Sequence, residues 1–120
     1  MWTYVAIAIG GVLGCWARFT QTNLVQAVYG RDFPFATMSI NVIGSFLMGF
    51  LFIETLERLT LPPALRTGIF GGYTTFSTFE METLLLAEDG ELLKAALYVV
   101  LSVGLGFVAA FGGAYIARNL

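Results

Sequence analysis

Four apolar runs, separated by short polar clusters, organise this chain. The first extends from about Trp2 to Thr20 and gives way to Gln21, Asn23, Gln26, Arg31 and Asp32. The second opens at Pro34 and reaches about Ile53, where Glu54, Glu57 and Arg58 follow. Pro62 and Pro63 mark the next turn, and proline suits the first position of a helix. The third run covers about Leu65 to Ala87 and closes on the acidic turn Glu88-Asp89-Gly90-Glu91. The fourth begins near Leu92 and ends at about Ile116, before Arg118 and Asn119. A bilayer core takes about 20 apolar residues in a helix. The pattern therefore predicts an all-α membrane protein with four transmembrane helices, at about 2–20, 34–53, 65–87 and 92–116. No repeat is visible at the level of sequence, and residues 1–120 read as one four-helix domain.

Composition sharpens this picture. Of 120 residues, 58% are hydrophobic and 12% charged, with a mean hydropathy of +0.81. A soluble domain carries roughly 25% charge, so disorder, nucleic-acid-binding tails and an ordinary cytosolic enzyme are excluded. Four spans take ~80 residues and leave ~40 for connections, too few for a separate soluble domain. Cys15 is the single cysteine and there is no histidine. An intrachain disulfide framework, the commonest metal ligand and the usual physiological proton carrier are all missing. No Lys or Arg precedes the first apolar run and no cleavage site follows it, so the first helix is expected to stay in the mature protein.

An even number of spans puts both termini on one side. Arg58, Arg66 and Arg118 then share the side of the termini, and Arg18, Arg31 and Lys94 lie on the other. Orientation follows the Lys/Arg asymmetry of short loops, and three against three favours neither direction. With so few charges an even split also arises by chance. The sharper reading is dual topology: copies insert both ways and pair as an antiparallel homodimer. Such a pair recreates the inverted repeat that many transporters carry within one chain.

The third run contains Gly68-Ile-Phe-Gly71-Gly72-Tyr73-Thr74-Thr75-Phe76-Ser77-Thr78-Phe79. Adjacent glycines and four hydroxyls make a poor continuous helix. Close packing through small residues is one outcome. The favoured one is a helix broken near mid-membrane, where unwound backbone is tolerated only against protein or water. Exposed carbonyls there can coordinate a cation. Phe76 and Phe79 follow at i, i+3 and share a helical face. They are lipid-facing or core residues by default, yet the positive edge of an aromatic ring can also line an anion path.

In the second run Thr37, Asn41 and Ser45 recur every four residues, with Gly44 beside them. Asn41 reads either as interhelical glue or as a donor of amide N–H groups to an anion. Gly10 and Gly14 permit close helix approach, and Arg18 continues their spacing, either snorkelling to the interface or setting orientation at a subunit contact. Tyr98 and Ser102 share a face of the fourth run. Glu80 and Glu82 lie toward a span end, in reach of solvent. No carboxylate pair, phosphate-binding loop or Ser-His or Cys-His pair is present, which argues against an enzyme. A proton-coupled exporter wants an ionisable residue at mid-membrane. The first two spans have none away from their ends, and a passive polar pathway fits better.

These motifs resemble the Fluc, or CrcB, fluoride channel family over nearly the whole chain. They are Gly10-Gly11-x-x-Gly14-x-x-x-Arg18, Thr37-x-x-x-Asn41-x-x-Gly44-Ser45-Phe46-x-x-Gly49 and Gly71-Gly72-Tyr73-Thr74-Thr75-Phe76-Ser77-Thr78-Phe79. The resemblance implies a dual-topology homodimer in a bacterial inner membrane. It would carry two parallel fluoride pathways, pass cytoplasmic fluoride out passively and confer fluoride resistance. It implies pores lined by Phe76 and Phe79, with Asn41 donating to fluoride and Thr37, Ser102 and Tyr98 facing the pathway. It also implies a structural sodium ion at the dimer centre, held by the backbone carbonyls of Gly71 and Thr74 from both subunits. Ala36 and Glu80 depart from the family pattern, and the fourth span offers few hydroxyls beyond Ser102. A small dual-topology multidrug exporter is the alternative of similar size, but it depends on an acidic residue in the first span. Trp2 to Thr20 contains no Asp or Glu.

Overall fold

A computed structural model describes residues 1–58 and 61–119, with residues 52–58 described by their backbone alone. Five helices follow in chain order: α1 (Trp2–Tyr29), α2 (Phe35–Arg58), α3 (Pro63–Tyr73), α4 (Phe76–Glu88) and α5 (Leu92–Arg118). The side chains of Glu54, Glu57 and Arg58, which close the second apolar run, lie outside the described residues.

The helix ends follow backbone chemistry more closely than they follow polarity. The first helix does not stop at Thr20; it carries Gln21, Asn23 and Gln26 on to Tyr29. None of these residues is a glycine or proline, so nothing interrupts the backbone ladder. Gly30 does, at φ 76°, while its N–H bonds to Gln26 O; a positive φ costs glycine little. Pro34 precedes α2, and its carbonyl accepts the Met38 N–H at 3.2 Å. Pro63 opens α3 at a position where its missing N–H has no helical partner to lose.

Between α3 and α4 the chain is extended at two residues, Thr74 (φ −82°, ψ 154°) and Thr75 (φ −150°, ψ 113°). The break therefore falls after the glycine pair rather than on it. Gly71 and Gly72 remain helical, and Gly72 serves the packing outcome instead.

The helices pair as α1 on α3 and α2 on α5, with α4 also resting on α5. Glycine allows backbone to meet backbone in both main pairs. A Cβ on Gly14 would stand 2.1 Å from Ile69 O, and one on Gly68 would stand 2.2 Å from Ile7 O. In the second pair, a Cβ on Gly113 would stand 2.1 Å from Phe46 O. Arg18 lies one turn beyond Gly14 with its guanidinium 4.0 Å from Cys15 Sγ.

The outer faces are apolar. Trp2, Trp16 and Phe19 on α1, and Phe107, Phe111 and Tyr115 on α5, are all exposed. Soluble proteins rarely show apolar patches of this extent. Among the described residues, α1 and α5 are long and apolar enough to cross a membrane, and α2 is apolar over Phe35–Leu51. The fold is that of an all-α membrane protein.

Candidate functional site at the helix break

The α3–α4 break is held by one side chain. The Asn41 Oδ1 of α2 accepts the Thr75 N–H at 2.9 Å, and its Nδ2 donates to Thr75 O at 3.1 Å. The amide orientation is settled by the partners, since a backbone N–H can only donate and a carbonyl can only accept. In an unbroken helix the Thr75 N–H would bond to Gly71 O. Asn41 takes that proton instead, so the Gly71 carbonyl loses its regular helical partner. The Thr75 hydroxyl then starts α4: it accepts the Thr78 N–H at 3.3 Å and donates to Thr78 Oγ1 at 3.0 Å. This is ordinary N-cap chemistry for threonine. Gly44 lets α2 come close enough for the clasp, because a Cβ there would stand 2.3 Å from Thr74 Cγ2.

Beside the clasp runs an open groove of about 440 Å³, lined by Asn41, Ser45, Thr75, Phe76, Phe79 and Ser102 among others. Four of the six residues expected to line a fluoride pathway, Asn41, Phe76, Phe79 and Ser102, therefore meet here, with Thr74 beside them. The two phenylalanines differ in setting. Phe79 is 8% exposed and Phe76 72% exposed, with ring centroids 5.8 Å apart. Being neighbours on α4 does not make them equivalent; one packs into the chain and the other faces out of it. Ser102 Oγ is buried and has no hydrogen-bond partner among the described residues. An orphaned buried hydroxyl costs free energy unless something else meets it.

Thr37 and Tyr98 stand apart from this groove. Tyr98 is fully buried, with its ring 5.0 Å from that of Phe79 and 5.6 Å from that of Phe33. Its hydroxyl donates to Glu82 Oε1 at 3.0 Å, and buried Thr37 meets the same hydroxyl. A second groove of about 550 Å³ carries Arg18, Thr37, Thr75, Thr78 and Glu82. Thr75 lines both grooves. At the loop end a third cavity of about 430 Å³ is lined by Arg31, Asp32, Glu82, Asp89, Glu91 and Lys94. Glu82 joins it to the second groove, while Glu80 is exposed. The sequence left Glu82 in reach of solvent; the fold turns it toward Tyr98, a pairing across α4 and α5 that no local spacing announces.

The family model described as CrcB-like protein, Camphor Resistance (CrcB), matches residues 5–114. The chain belongs to the CrcB family. It is 57% identical over 121 residues to the fluoride-specific ion channel FluC of Acidithiobacillus ferrooxidans, covering 98% of this chain and 97% of that protein. It is 44% identical over 124 residues to the fluoride-specific ion channel FluC of Geobacter sulfurreducens, covering all of both chains. The family is one of ion channels and not of enzymes.

In this CrcB-family chain the resemblance implies a sodium site at the break, formed by the carbonyls of Gly71 and Thr74. Gly71 lies on an open face, with nothing within 4 Å of where a Cβ would be. Its carbonyl has been released by the Asn41 clasp, and Thr74 is extended beside it. Carbonyl oxygens suit a small hard cation. Two from one chain fall short of a full coordination shell, so the donor set fits only where a second copy contributes as well. Among the described residues no cluster of His, Cys, Asp and Glu offers another metal site.

Proposed function

We propose that this protein is a fluoride-selective channel that lets cytoplasmic fluoride leave a bacterial cell passively through the inner membrane, and so confers fluoride resistance. Four spans, the third made of α3 and α4, cross the membrane. Two copies pair in opposite orientations, giving two pores per dimer with a sodium ion at its centre. The observation that carries the reading is the 57% identity, over nearly the full chain, to a relative named as a fluoride-specific channel. The groove at the break agrees with it chemically, and the even split of cationic residues agrees with the pairing.

Fluoride is small and strongly hydrated, so a pathway must replace its water with donors while excluding larger anions. One Asn41 N–H is committed to Thr75 O, which leaves the second free for an anion. The Ser102 hydroxyl, without a hydrogen-bond partner among the described residues, is a second donor. The Phe76 and Phe79 ring edges add a weakly positive lining that holds no anion tightly. Thr37 and Tyr98 act behind Phe79, setting its ring and continuing the polar line toward Glu82. The carbonyls of Gly71 and Thr74, from both copies, would hold sodium, which supplies positive field to an anion path in a chain whose net charge is −2.

The test is efflux from liposomes containing the purified protein. Fluoride should leave rapidly and chloride hardly at all, and Phe76→Ile or Phe79→Ile should suppress the fluoride current. Equal chloride flux, or undiminished fluoride flux in both variants, would overturn the reading. A proton-driven flux of organic cations would point instead to a small multidrug exporter.

A further inference from the structure

A second polar connection reaches the break from the side of α1. The Tyr73 hydroxyl, on the last residue of α3, donates to Gln21 Oε1. Gln21 Nε2 donates to Ser39 Oγ at 3.0 Å, and Ser39 Oγ donates to Ala36 O at 2.7 Å. Tyr73 is buried and the other two side chains are half-buried. Every direction in this chain is fixed. Ser39 gives its only proton to Ala36 O, so it must accept from Gln21, which must then turn its oxygen to Tyr73. Three helices meet through one amide.

The two connections start from the same stretch of α2. Asn41 grips Thr75 directly, and Ser39, two residues earlier, reaches Tyr73 through Gln21. Thr74 stands between the two gripped residues. We infer that Gln21 is a positioning residue for the break: with Ser39 it anchors the end of α3 through Tyr73, as Asn41 anchors the start of α4, and the two together set where the Thr74 carbonyl stands. A polar residue inside an apolar bundle would otherwise be an unmet cost, and an amide is the side chain that accepts at one end and donates at the other. As a determinant of ion selectivity, this role rests on the channel reading above.

The test uses the full-length protein in two measurements. Amide hydrogen exchange in detergent is followed at Thr74, Thr75 and Thr78, with amides of α5 as the internal reference. Fluoride and chloride efflux are followed in liposomes. Gln21→Met and Tyr73→Phe should each speed exchange at the break by roughly three- to tenfold, the yield of one lost hydrogen bond, with α5 unchanged. They should also lower the fluoride-to-chloride flux ratio. Ser39→Thr, which keeps the accepting hydroxyl, should retain both properties. Ser39→Ala should show part of the effect, and combining it with Gln21→Met should add little. Should Gln21→Met fold poorly, Tyr73→Phe and Ser39→Ala still decide the matter. Unchanged exchange at the break in Tyr73→Phe and Ser39→Ala would overturn the inference. Should the unmodified protein pass no fluoride, the channel reading falls, and exchange alone decides whether Gln21 positions the break.

Discussion

Asn41 and Thr75 exchange a pair of hydrogen bonds, at 2.9 and 3.1 Å, in which one side-chain amide satisfies both the N–H and the C=O of one backbone residue. The pair performs for Thr75 what a helix would otherwise do. It stabilises an interruption that the apolar surroundings would disfavour, and it takes from the Gly71 carbonyl its regular helical partner.

Replacing Asn41 should separate holding from conducting. Asn41→Leu abandons two half-buried backbone groups, and unmet groups of this kind cost about 1–3 kcal/mol each. It should lower the thermal midpoint in detergent and abolish fluoride efflux. Asn41→Asp keeps the acceptor for the Thr75 N–H, so it should retain more stability. Its negative charge in the groove should still stop anion flux. A melting curve beside an efflux trace distinguishes the two variants.

Ser102 gives the opposite sign. Its Oγ is buried without a hydrogen-bond partner among the described residues, so Ser102→Ala removes an unmet group. The melting temperature should hold or rise, by the equivalent of up to about 1 kcal/mol, while fluoride efflux falls. A variant that is no less stable yet less conductive marks the hydroxyl as one kept for the ion. Parallel loss of both would mark it as structural.

Tyr98 joins Phe79 and Glu82 through separate parts of its side chain. Tyr98→Phe keeps the ring contacts with Phe33 and Phe79 but removes the donor to Glu82. A hydrogen bond to a charged group contributes about 1.5–3 kcal/mol. Fluoride efflux should drop with the fold intact. Glu82→Gln keeps an accepting oxygen and should be milder than Glu82→Ala. Efflux rates compared among these three variants check the order.

Gly14→Ala should fail where Gly11→Ala succeeds. A methyl at Gly14 meets Ile69 O at 2.1 Å, whereas nothing lies within 4 Å of one at Gly11. Overpacking of this kind costs about 1–3 kcal/mol, and here the obstacle is backbone that cannot turn aside. Yield of monodisperse protein and thermal midpoint should fall for Gly14→Ala and stay level for Gly11→Ala.

Exchanging sodium for a bulky organic cation on both sides of the membrane should stop fluoride efflux, and restoring sodium should recover it. In the proposed sodium site the carbonyls of Gly71 and Thr74 would hold a small hard ion, and a large organic cation would not replace it. Efflux before, during and after exchange provides the check.

Periodicity and composition made the apolar runs legible because lipid or helix packing demands the same residue types all along a span. They misplaced the end of α1, since polarity marks where water is expected while Gly30 marks where the backbone can turn. The third apolar run shows the same division at finer scale. The sequence announced that Gly71 to Thr78 would interrupt a helix, and the interruption is there. Tertiary packing chose its position, because Gly72 closes against α1 while Asn41 bonds to both backbone groups of Thr75. Asn41 and Ser102 could be singled out as polar residues in apolar runs, and Phe76 and Phe79 by their place beside the expected break. Their meeting in one groove, the exposure of Phe76 against the burial of Phe79, the Tyr98–Glu82 pair and the Gln21 connection required the fold. By itself the sequence determined the helices, the family and the vocabulary of donors, because those depend on residue type and short-range spacing. Only the tertiary structure decided which donors are committed to the protein and which remain free. That allocation depends on contacts between residues 16 to 52 positions apart in the chain.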